Sequence, residues 1–260
     1  MKLSNRLQVI LDLIPDGSVL ADIGSDHGLL PVAAVQSGKA KAAVAGEVNQ
    51  GPLEAAARQV AEAGLKDKIA VRLGDGLAVV EPGEVSVVTI AGMGGSLISS
   101  ILENGRDRLQ GVKQLILQPN VGEEFVRAWL LQHGWVITQE TILEEEKKIY
   151  EIISAVPEQE QAATTNEQLY GARTIASQSG EGITLNKDLL LRMGPYLLEK
   201  PNEVFFKKWH SEIAKLERIQ RSVASSRLES AALKNEELRK EIEQIQEVLS
   251  CLQKDKPSFN

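Results

Sequence analysis

The sequence predicts an α/β fold with a doubly wound parallel sheet, followed by an all-α segment. Two observations support this prediction. In residues 1–156, short apolar runs rich in Val, Ile and Leu alternate with amphipathic segments, the pattern of strands joined by crossover helices. Beyond residue 203, apolar residues recur at steps of three and four, the spacing of long helices. We therefore expect a sheet domain with a helical appendage.

The first segment is expected to contain five parallel strands and a terminal hairpin. The strands are predicted at residues 19–23, 42–45, 69–72, 85–91 and 114–118, with helices at 29–37, 52–63, 95–103 and 123–132. Two further β-type runs, 135–143 and 149–156, are joined by an acidic turn that is too short for a crossover helix. A Rossmann-like sheet that ends in such an antiparallel hairpin is typical of methyltransferases, whereas dinucleotide dehydrogenases continue with parallel units.

The remainder of the chain is predicted to form a linker and a helical hairpin. Residues 157–202 are expected to be a linker with short helices, because their first part is polar and low in apolar content. Residues 203–260 are expected to form two helices paired as an antiparallel coiled coil, with a turn near residues 225–230. Nothing there is a strong helix breaker, so one long helix that dimerises through its seam stays open as an alternative.

Composition indicates a globular, cytoplasmic protein that works without metal. Cys251 is the one cysteine, so an internal disulfide is excluded, and Cys/His spacing typical of a metal site is absent. No stretch reaches the roughly 18 consecutive apolar residues that a membrane span needs. We therefore expect no membrane or metal partner, and a monomer.

Charge is distributed unevenly, although the net charge of −7 disfavours nucleic-acid binding. Residues 1–160 carry 14 Lys and Arg against 22 Asp and Glu, net −8, whereas residues 161–260 carry 15 against 14, net +1. Basic side chains collect near the start of the first long helix, and those predicted to contact a polyanion are Lys207, Lys208, Lys215, Arg218 and Arg221, with Arg6 in the first segment. The alternative is an ordinary solvated helix face.

An apolar strand that breaks into a glycine turn and then a helix predicts a nucleotide-type cradle. This turn contains Asp22, Gly24, Ser25 and Asp26. Asp26 stands where the second glycine of the dinucleotide motif Gly-x-Gly-x-x-Gly would be, and its carboxylate would repel a pyrophosphate. The cationic sulfonium and ammonium of S-adenosylmethionine suit Asp22 and Asp26 much better. The alternative is an Asp-rich turn with a structural capping role.

The ends of the next two strands carry acidic residues in the order that such a cofactor site requires. Glu47 follows the second strand, where a carboxylate accepts hydrogen bonds from ribose hydroxyls, and Val48 adjoins it. Asp75, Gly76 and Leu77 follow the third strand, where the side chain can accept from an adenine amino group and the backbone N–H can donate to a ring nitrogen. Taken alone, Glu47 or Asp75 would be interpreted as a helix cap or a turn carboxylate.

The fourth and fifth strands are expected to end at the substrate. Ala91, Gly92, Met93 and Gly94 belong to a run whose three glycines leave bare backbone beside a flat ligand, or form only a tight turn. Nucleobase amino-methyltransferases usually carry an Asp/Asn-Pro-Pro-aromatic motif at this position, and this sequence does not. After the fifth strand, the amides of Gln118 and Asn120 could read a base edge.

With these motifs in place, the chain resembles the bacterial tRNA adenine-22 N1-methyltransferases over essentially its whole length. The matching motifs are Leu3-Ser4-Asn5-Arg6-Leu7, residues 22–27, Gly46-Glu47-Val48 with Gly51-Pro52, residues 72–77, residues 91–95, Gln118-Pro119-Asn120, Lys148-Ile149-Tyr150-Glu151, Gly194-Pro195 and the terminal helical pair. Residues 164–186 match poorly. The resemblance implies methyl transfer from S-adenosylmethionine to N1 of an adenine in the D-loop region of tRNA, with cofactor contacts at Asp22, Gly24, Glu47, Asp75 and Gly76.

N1-methylation of adenine needs orientation more than proton transfer, because N1 carries an available lone pair at neutral pH. We expect Asp26 and His27 to orient the base and stabilise the cationic product, while Met93, Gly94, Gln118 and Asn120 shape the adenine slot. His27 could equally be a helix N-terminal residue bonded to the backbone. Two other functions stay open: a small-molecule methyltransferase, which the acidic charge favours, and an adaptor that only senses S-adenosylmethionine.

Overall fold

The computed structural model describes residues 3–160, 164–175, 182–224 and 229–253, and the chain forms two compact units. The first unit is Met1–Leu169 and the second is Tyr170–Asn260. The described residues 157–160 and 164–169 therefore belong to the first unit, and the described residues 170–175 and 182–202 belong to the second. The segment that the sequence assigns to a linker is divided between the two units.

The first unit alternates strands and helices. Its strands are β1 (Ser18–Ile23), β2 (Ala40–Glu47), β3 (Ile69–Leu73), β4 (Val87–Met93), β5 (Gln114–Pro119), β6 (Trp135–Glu145) and β7 (Lys148–Pro157). Its helices are α1 (Asn5–Leu13), α2 (Leu29–Gln36), α3 (Gln50–Glu62), α4 (Gly95–Asn104), α5 (Glu123–Gln132) and α6 (Asn166–Leu169). Every predicted strand and helix of this unit is present, with bounds that differ by at most a few residues.

Seven strands form one sheet in the order β3-β2-β1-β4-β5-β7-β6. The first five strands are parallel, and β7 pairs antiparallel with both β5 and β6. The strand order reverses between β1 and β4, where Ile23 stands opposite Ile90. Ligands bind at this kind of reversal in open α/β sheets. The predicted Rossmann-like sheet with a terminal hairpin is confirmed.

The sheet is covered on both faces, which explains why its central strands are nearly all apolar. Leu20, Ala21 and Ile23 of β1 are at most 3% exposed. The sequence analysis missed α1, which packs Ile10 into the same core, and Ile14 follows directly after the helix; neither residue has exposed surface. Ser4 caps this helix by accepting a hydrogen bond from the N–H of Leu7.

The second unit contains a small hairpin and four helices among its described residues. The elements are β8 (Arg173–Ile175), β9 (Ile183–Leu185), α7 (Lys187–Met193), α8 (Pro195–Glu199), α9 (Glu203–Ala224) and α10 (Glu229–Gln253). Helices α9 and α10 contact each other. Of the apolar residues whose spacing predicts these helices, Val223 is half-buried. The others are buried: Phe206, Trp209, Ile213, Leu216, Leu238, Ile242, Ile245, Leu249 and Leu252.

Only four residues separate α9 from α10, too few to return along a helix of this length, so the two helices run antiparallel. Most of the predicted turn, residues 225–228, lies outside the described residues, and coiled-coil geometry stays a prediction. Within the described ranges, no helix is both long and apolar enough to cross a membrane.

Candidate active site

A pocket of about 490 Å³ opens at the carboxyl ends of β1, β4 and β5. It brings together nine of the residues that the sequence analysis singled out: Arg6, Asp22, Gly24, Ser25, Asp26, Ala91, Gly92, Met93 and Asn120. These residues are up to 114 positions apart in the chain, and the parallel sheet places them side by side. We call this cavity the Asp22 pocket.

The glycine turn after β1 forms one wall of the pocket. Gly24 has φ +71°, and a Cβ at this position would overlap the Cε atom of Met93. The N–H groups of Gly24 and Ser25 both donate to the carbonyl of Gly46 at the end of β2, over 2.9 and 3.1 Å. The backbone angle therefore favours glycine here, whereas the Met93 methyl is the end of a flexible side chain that can move aside.

Asp22 is a buried carboxylate at the base of this turn. It is 5% exposed, and its two oxygens accept hydrogen bonds from Thr89 Oγ1 at 2.6 Å and Ser25 Oγ at 2.7 Å. Burial raises the pKa of Asp22 above its usual range, while these two hydrogen bonds act in the opposite direction. A buried carboxylate of this kind gains strongly from a cationic ligand group in the pocket.

Glu47 supports the turn from the neighbouring strand. Its side chain is 5% exposed, and Oε1 accepts a hydrogen bond of 2.6 Å from the N–H of Asp26. The sequence analysis expected Glu47 to face ribose and kept a cap or turn carboxylate as the alternative, and the bond to the Asp26 N–H is a turn contact of that second kind. The next residue, Val48, is 59% exposed and offers apolar surface beside it.

Asp75, Gly76 and Leu77 line a different cavity of about 380 Å³, together with residues of α4. The Leu77 side chain is only 2% exposed and packs beneath Gly105, so this residue can offer a ligand only its backbone. The sequence placed these residues and Asp22 on one cofactor. In the structure they line two cavities, so a shared ligand must be elongated.

Gln118 corrects one prediction, because it has no exposed surface with which to read a base. Its Oε1 accepts from Arg6 Nη1 at 2.5 Å and from the N–H of Gly92 at 3.1 Å. Its Nε2 donates to Asn120 Oδ1 at 3.0 Å and to the carbonyl of Pro119. Gln118 therefore holds the residues that line the pocket.

Asn120 is exposed and lines the pocket as predicted. Its Nδ2 donates to the carbonyl of Gly92 at 2.8 Å, and its own N–H donates to the carbonyl of Met93 at 2.7 Å. Gly94, which follows Met93 in the chain, directly precedes α4. The loops after β4 and β5 are thus joined by backbone and side-chain hydrogen bonds, which gives this end of the pocket a fixed shape.

Asp26 and His27 lie at the mouth of the site with unusual backbone angles. Their φ values are +30° and +65°, in the region that side chains other than glycine rarely adopt. The Asp26 side chain is 81% exposed, and His27 Nε2 lies 3.4 Å from its carboxylate. Asp26 lines the pocket. The His27 side chain is 62% exposed and does not line it.

Several pocket residues were missed by the sequence analysis, and half of them come from α1 or the two residues just before it. Those not predicted are Leu3, Ser4, Leu7, Leu29, Leu30 and Tyr150. The apolar spacing of Leu7, Ile10 and Leu11 after a capping Ser4 was the available signal for the helix. Local sequence gave no comparable signal that Tyr150 faces this pocket.

The predicted polyanion contacts on α9 share one face of that helix. Lys207, Lys215, Arg218 and Arg221 are exposed and fall within about 120° on a helical wheel of 3.6 residues per turn. The buried residues Phe205, Phe206, Trp209, Ile213 and Leu216 occupy the opposite side. Lys208 is half-buried, with Nζ 5.7 Å from the centroid of the Trp209 ring.

The Asp22 pocket has the chemistry of a binding and orienting site. It combines buried and exposed carboxylates with bare backbone and an amide, and the described residues contain no group of three or more His, Cys, Asp or Glu side chains that could hold a metal ion. Such a pocket suits a ligand with a cationic end and a reaction that needs no strong base.

Comparison with known proteins connects this geometry to one family. The family model described as "TrmK: tRNA (adenine(22)-N(1))-methyltransferase" matches residues 20–247. A tRNA (adenine(22)-N(1))-methyltransferase of Bacillus subtilis (strain 168) is 41% identical over 250 residues, which cover 96% of this chain and 98% of that protein.

Solved structures agree over nearly the whole chain. The crystal structure of the B. subtilis m1A22 tRNA methyltransferase TrmK matches with a TM-score of 0.83 and 41% identity, over 95% of this chain and 99% of that one. The structure of Streptococcus pneumoniae Sp1610 in complex with S-adenosyl-L-methionine matches with a TM-score of 0.77 and 39% identity, over 95% and 100%.

Proposed function

Because the chain belongs to the tRNA (adenine(22)-N(1))-methyltransferase family, we propose that it transfers the methyl group of S-adenosylmethionine to N1 of adenine 22 in tRNA. One observation of this chain carries the proposal most directly. Asp22, Asp26, Gly92, Met93 and Asn120, predicted separately for cofactor and substrate, line a single pocket at the strand-order reversal.

The residues of the site fit S-adenosylmethionine, which when bound supplies an electrophilic methyl group on a sulfonium. Asp22 and Asp26 provide negative charge for its cationic amino-acid end. Backbone at Gly24, Ser25, Ala91 and Gly92 lines the same pocket. Glu47 and Val48 would face the ribose, and Asp75, Gly76 and Leu77 the adenine ring, so the elongated cofactor would reach from the Asp22 pocket to the second cavity.

The chain's work in the reaction is to orient the substrate adenine. The N1 lone pair attacks the methyl carbon directly, so the site needs no general base. Met93, Gly94 and Asn120 would border the adenine, and Gln118 holds Asn120 through the 3.0 Å bond. The base becomes cationic as it is methylated, and the carboxylate of Asp26 stabilises that charge.

Asp26→Ala is expected to lower the single-turnover rate of methyl transfer by about 10-fold or more, because charge stabilisation of the product is lost. His27→Ala should lower the rate less, since the exposed imidazole acts by orienting Asp26. Rates are measured at saturating cofactor, with its Kd determined separately by calorimetry. Full rates and unchanged cofactor affinity in both variants would contradict these assignments.

For the tRNA, we propose that the basic face of α9 binds the phosphate backbone. Four exposed cationic side chains lie on the side of the helix opposite its buried face and can contact phosphates without disturbing the core. Lys215 also pairs with Glu212 at 3.2 Å, so Arg218 and Arg221 are the residues chosen for the test. This local surface offsets the acidic charge of the first unit, which would repel RNA. Extrusion of the target base from the tRNA would give its N1 access to the pocket.

Replacing Arg218 and Arg221 together by Ala is expected to weaken tRNA binding and to lower the slope of log Kd against log salt by about 1 to 2, because each phosphate contact contributes roughly 0.7–0.9. Filter binding at several salt concentrations gives both quantities. Arg239→Ala is the control, since this arginine of α10 already pairs with Glu236 and Glu243. A slope equal to that of the wild-type protein would exclude these contacts.

The first test of the function is methyl transfer from labelled S-adenosylmethionine to unmodified bulk tRNA, followed by nucleoside analysis. We expect labelled 1-methyladenosine. Cofactor binding without labelled tRNA would favour the small-molecule methyltransferase or the sensing adaptor instead. The proposed enzyme is a cytoplasmic monomer that requires no metal, and sedimentation and activity in the presence of a chelator check the last two properties.

A further inference from the structure

Arg6 is the one cationic side chain that lines the Asp22 pocket among the residues that the structure describes. The sequence analysis assigned it to RNA. In the structure it is half-buried on α1, and the pocket places it with Asp22 and Asp26. Its charge is close enough to act on Asp22, whose pKa is raised by burial and lowered in part by Arg6.

Three neighbours fix the position of Arg6. Its Nη1 donates to Gln118 Oε1 at 2.5 Å, and its Cζ lies 5.3 Å from the centroid of the Tyr150 ring. Glu145, in the β6–β7 hairpin, accepts from the backbone N–H of Asn5 at 2.6 Å and from that of Arg6 at 3.4 Å. The first turn of α1 is thereby attached to the hairpin, and the guanidinium is held in a set orientation.

The amino-acid end of S-adenosylmethionine carries an ammonium and a carboxylate. Asp22 and Asp26 complement the ammonium, but they repel the carboxylate, which needs a cation of its own. A guanidinium is the side chain best suited to a carboxylate, because its planar N–H donors can bind both oxygens. The bond to Gln118 occupies one of the five N–H donors of Arg6.

We propose that Arg6 binds the carboxylate of the cofactor's amino-acid end, and that Tyr150 and Glu145 are positioning residues for it. This inference rests on the cofactor of the proposed function and not on its tRNA substrate. It also gives α1 a role: this helix, capped by Ser4 and attached by Glu145, carries a cofactor ligand to a sheet whose strand ends supply mainly carboxylates and bare backbone.

The test compares two cofactor forms that differ only by the carboxylate. Calorimetry gives the Kd of S-adenosylmethionine and of decarboxylated S-adenosylmethionine for the full-length wild-type protein, Arg6→Ala and the control Arg58→Ala. Arg58 is an exposed arginine of α3 that does not line this pocket. We expect the wild-type protein and the control to prefer the carboxylated form at least 10-fold, and Arg6→Ala to bind both forms within twofold of each other.

The positioning residues are tested with the same two ligands. Tyr150→Leu should lose several-fold in affinity for S-adenosylmethionine and little for the decarboxylated form, whereas Tyr150→Phe, which keeps the ring under the guanidinium, should retain the preference. Glu145→Gln should reduce the preference in the same direction. A thermal unfolding curve for each variant separates these effects from loss of folded protein.

An Arg6→Ala protein that keeps the full preference for the carboxylated cofactor would overturn the proposal. The proposal would also be overturned if Arg6→Ala lowered the affinity for tRNA and left the affinity for the cofactor unchanged, because that result would indicate that Arg6 binds RNA. The calorimetry contains no RNA, so its result can be interpreted even if the protein does not methylate tRNA. A wild-type protein that binds neither cofactor form would reject this inference and the proposed function together.

Discussion

Asp22→Asn is expected to weaken the binding of S-adenosylmethionine by about 100-fold, because a charge-assisted hydrogen bond in a buried site contributes up to about 3 kcal/mol. The substitution keeps the shape of the side chain and removes its charge. It also puts an amide N–H where Asp22 now accepts from Thr89 or Ser25. Calorimetry measures the affinity, and Asp16→Asn, at an 85% exposed side chain paired with Lys39, is the matched control.

The same residue predicts a pH dependence. Since burial raises the pKa of Asp22 in the free protein, its carboxylate is protonated at a higher pH than an ordinary aspartate as the solution is acidified. A protonated Asp22 cannot pair with the ammonium of the cofactor. Affinity should therefore fall with decreasing pH from a point above 3.8, and this component should be absent in Asp22→Asn. If Asp22→Asn bound the cofactor with wild-type affinity, Asp22 would not be a partner of the cofactor's ammonium.

Arg127→Ala is expected to lower the free energy of unfolding by about 3–5 kcal/mol, because it leaves two buried carboxylates without their cation. Arg127 of α5 has no exposed surface, and it bonds Glu140 of β6 at 2.6 Å and Glu151 of β7 at 2.5 Å. Burial opposes the charge of Arg127, but the two carboxylates outweigh it and raise the pKa of the guanidinium. The triad thus fixes the terminal hairpin against α5.

Urea denaturation measures this loss, with Arg72→Ala as the control. Arg72 also forms a bidentate pair, with Glu84, but its side chain is 36% exposed, so its loss should cost about 1 kcal/mol or less. If Arg127→Ala were no more destabilising than Arg72→Ala, the triad would not hold the hairpin as argued.

The sheet of the first unit was predictable because its signals are local. The predicted strands at residues 19–23, 42–45 and 85–91 are mainly apolar and each is followed by a glycine, whereas the strand at 114–118 is followed by Pro119. The hairpin was predictable from the short acidic turn between β6 and β7. Helix α1 precedes the first strand, and its signal is short, limited to a capping Ser4 and the apolar spacing of Leu7, Ile10 and Leu11.

The site was only partly predictable, because several of its side chains act through distant partners. The turn around Gly24 is readable from the strand, glycine and helix that follow one another in the chain. Gln118, by contrast, is bonded to Arg6, which lies 112 residues away. Its amide looks like a base reader at the end of a strand. Only the folded chain shows that Gln118 is buried and acts as a support.

The same limit applies to Arg127 and to Arg6. Nothing in the sequence near Arg127 distinguishes it from a surface arginine of an amphipathic helix, yet it is among the most buried side chains of the unit. Arg6 was assigned to RNA from its charge alone. Its neighbours in the fold, Asp22 and Tyr150, are the basis of the cofactor role that we propose for it. Long-range pairing of charges is set by the sheet topology, which local patterns do not encode.

The most direct test of the central claim uses two tRNA transcripts that differ only at position 22, one with adenine and one with guanine. Each is incubated with the wild-type protein and labelled S-adenosylmethionine, and digested nucleosides are separated. We predict labelled 1-methyladenosine from the adenine transcript and none from the guanine transcript. Equal labelling of both transcripts, or label in a nucleoside other than 1-methyladenosine, would contradict methylation of N1 at adenine 22.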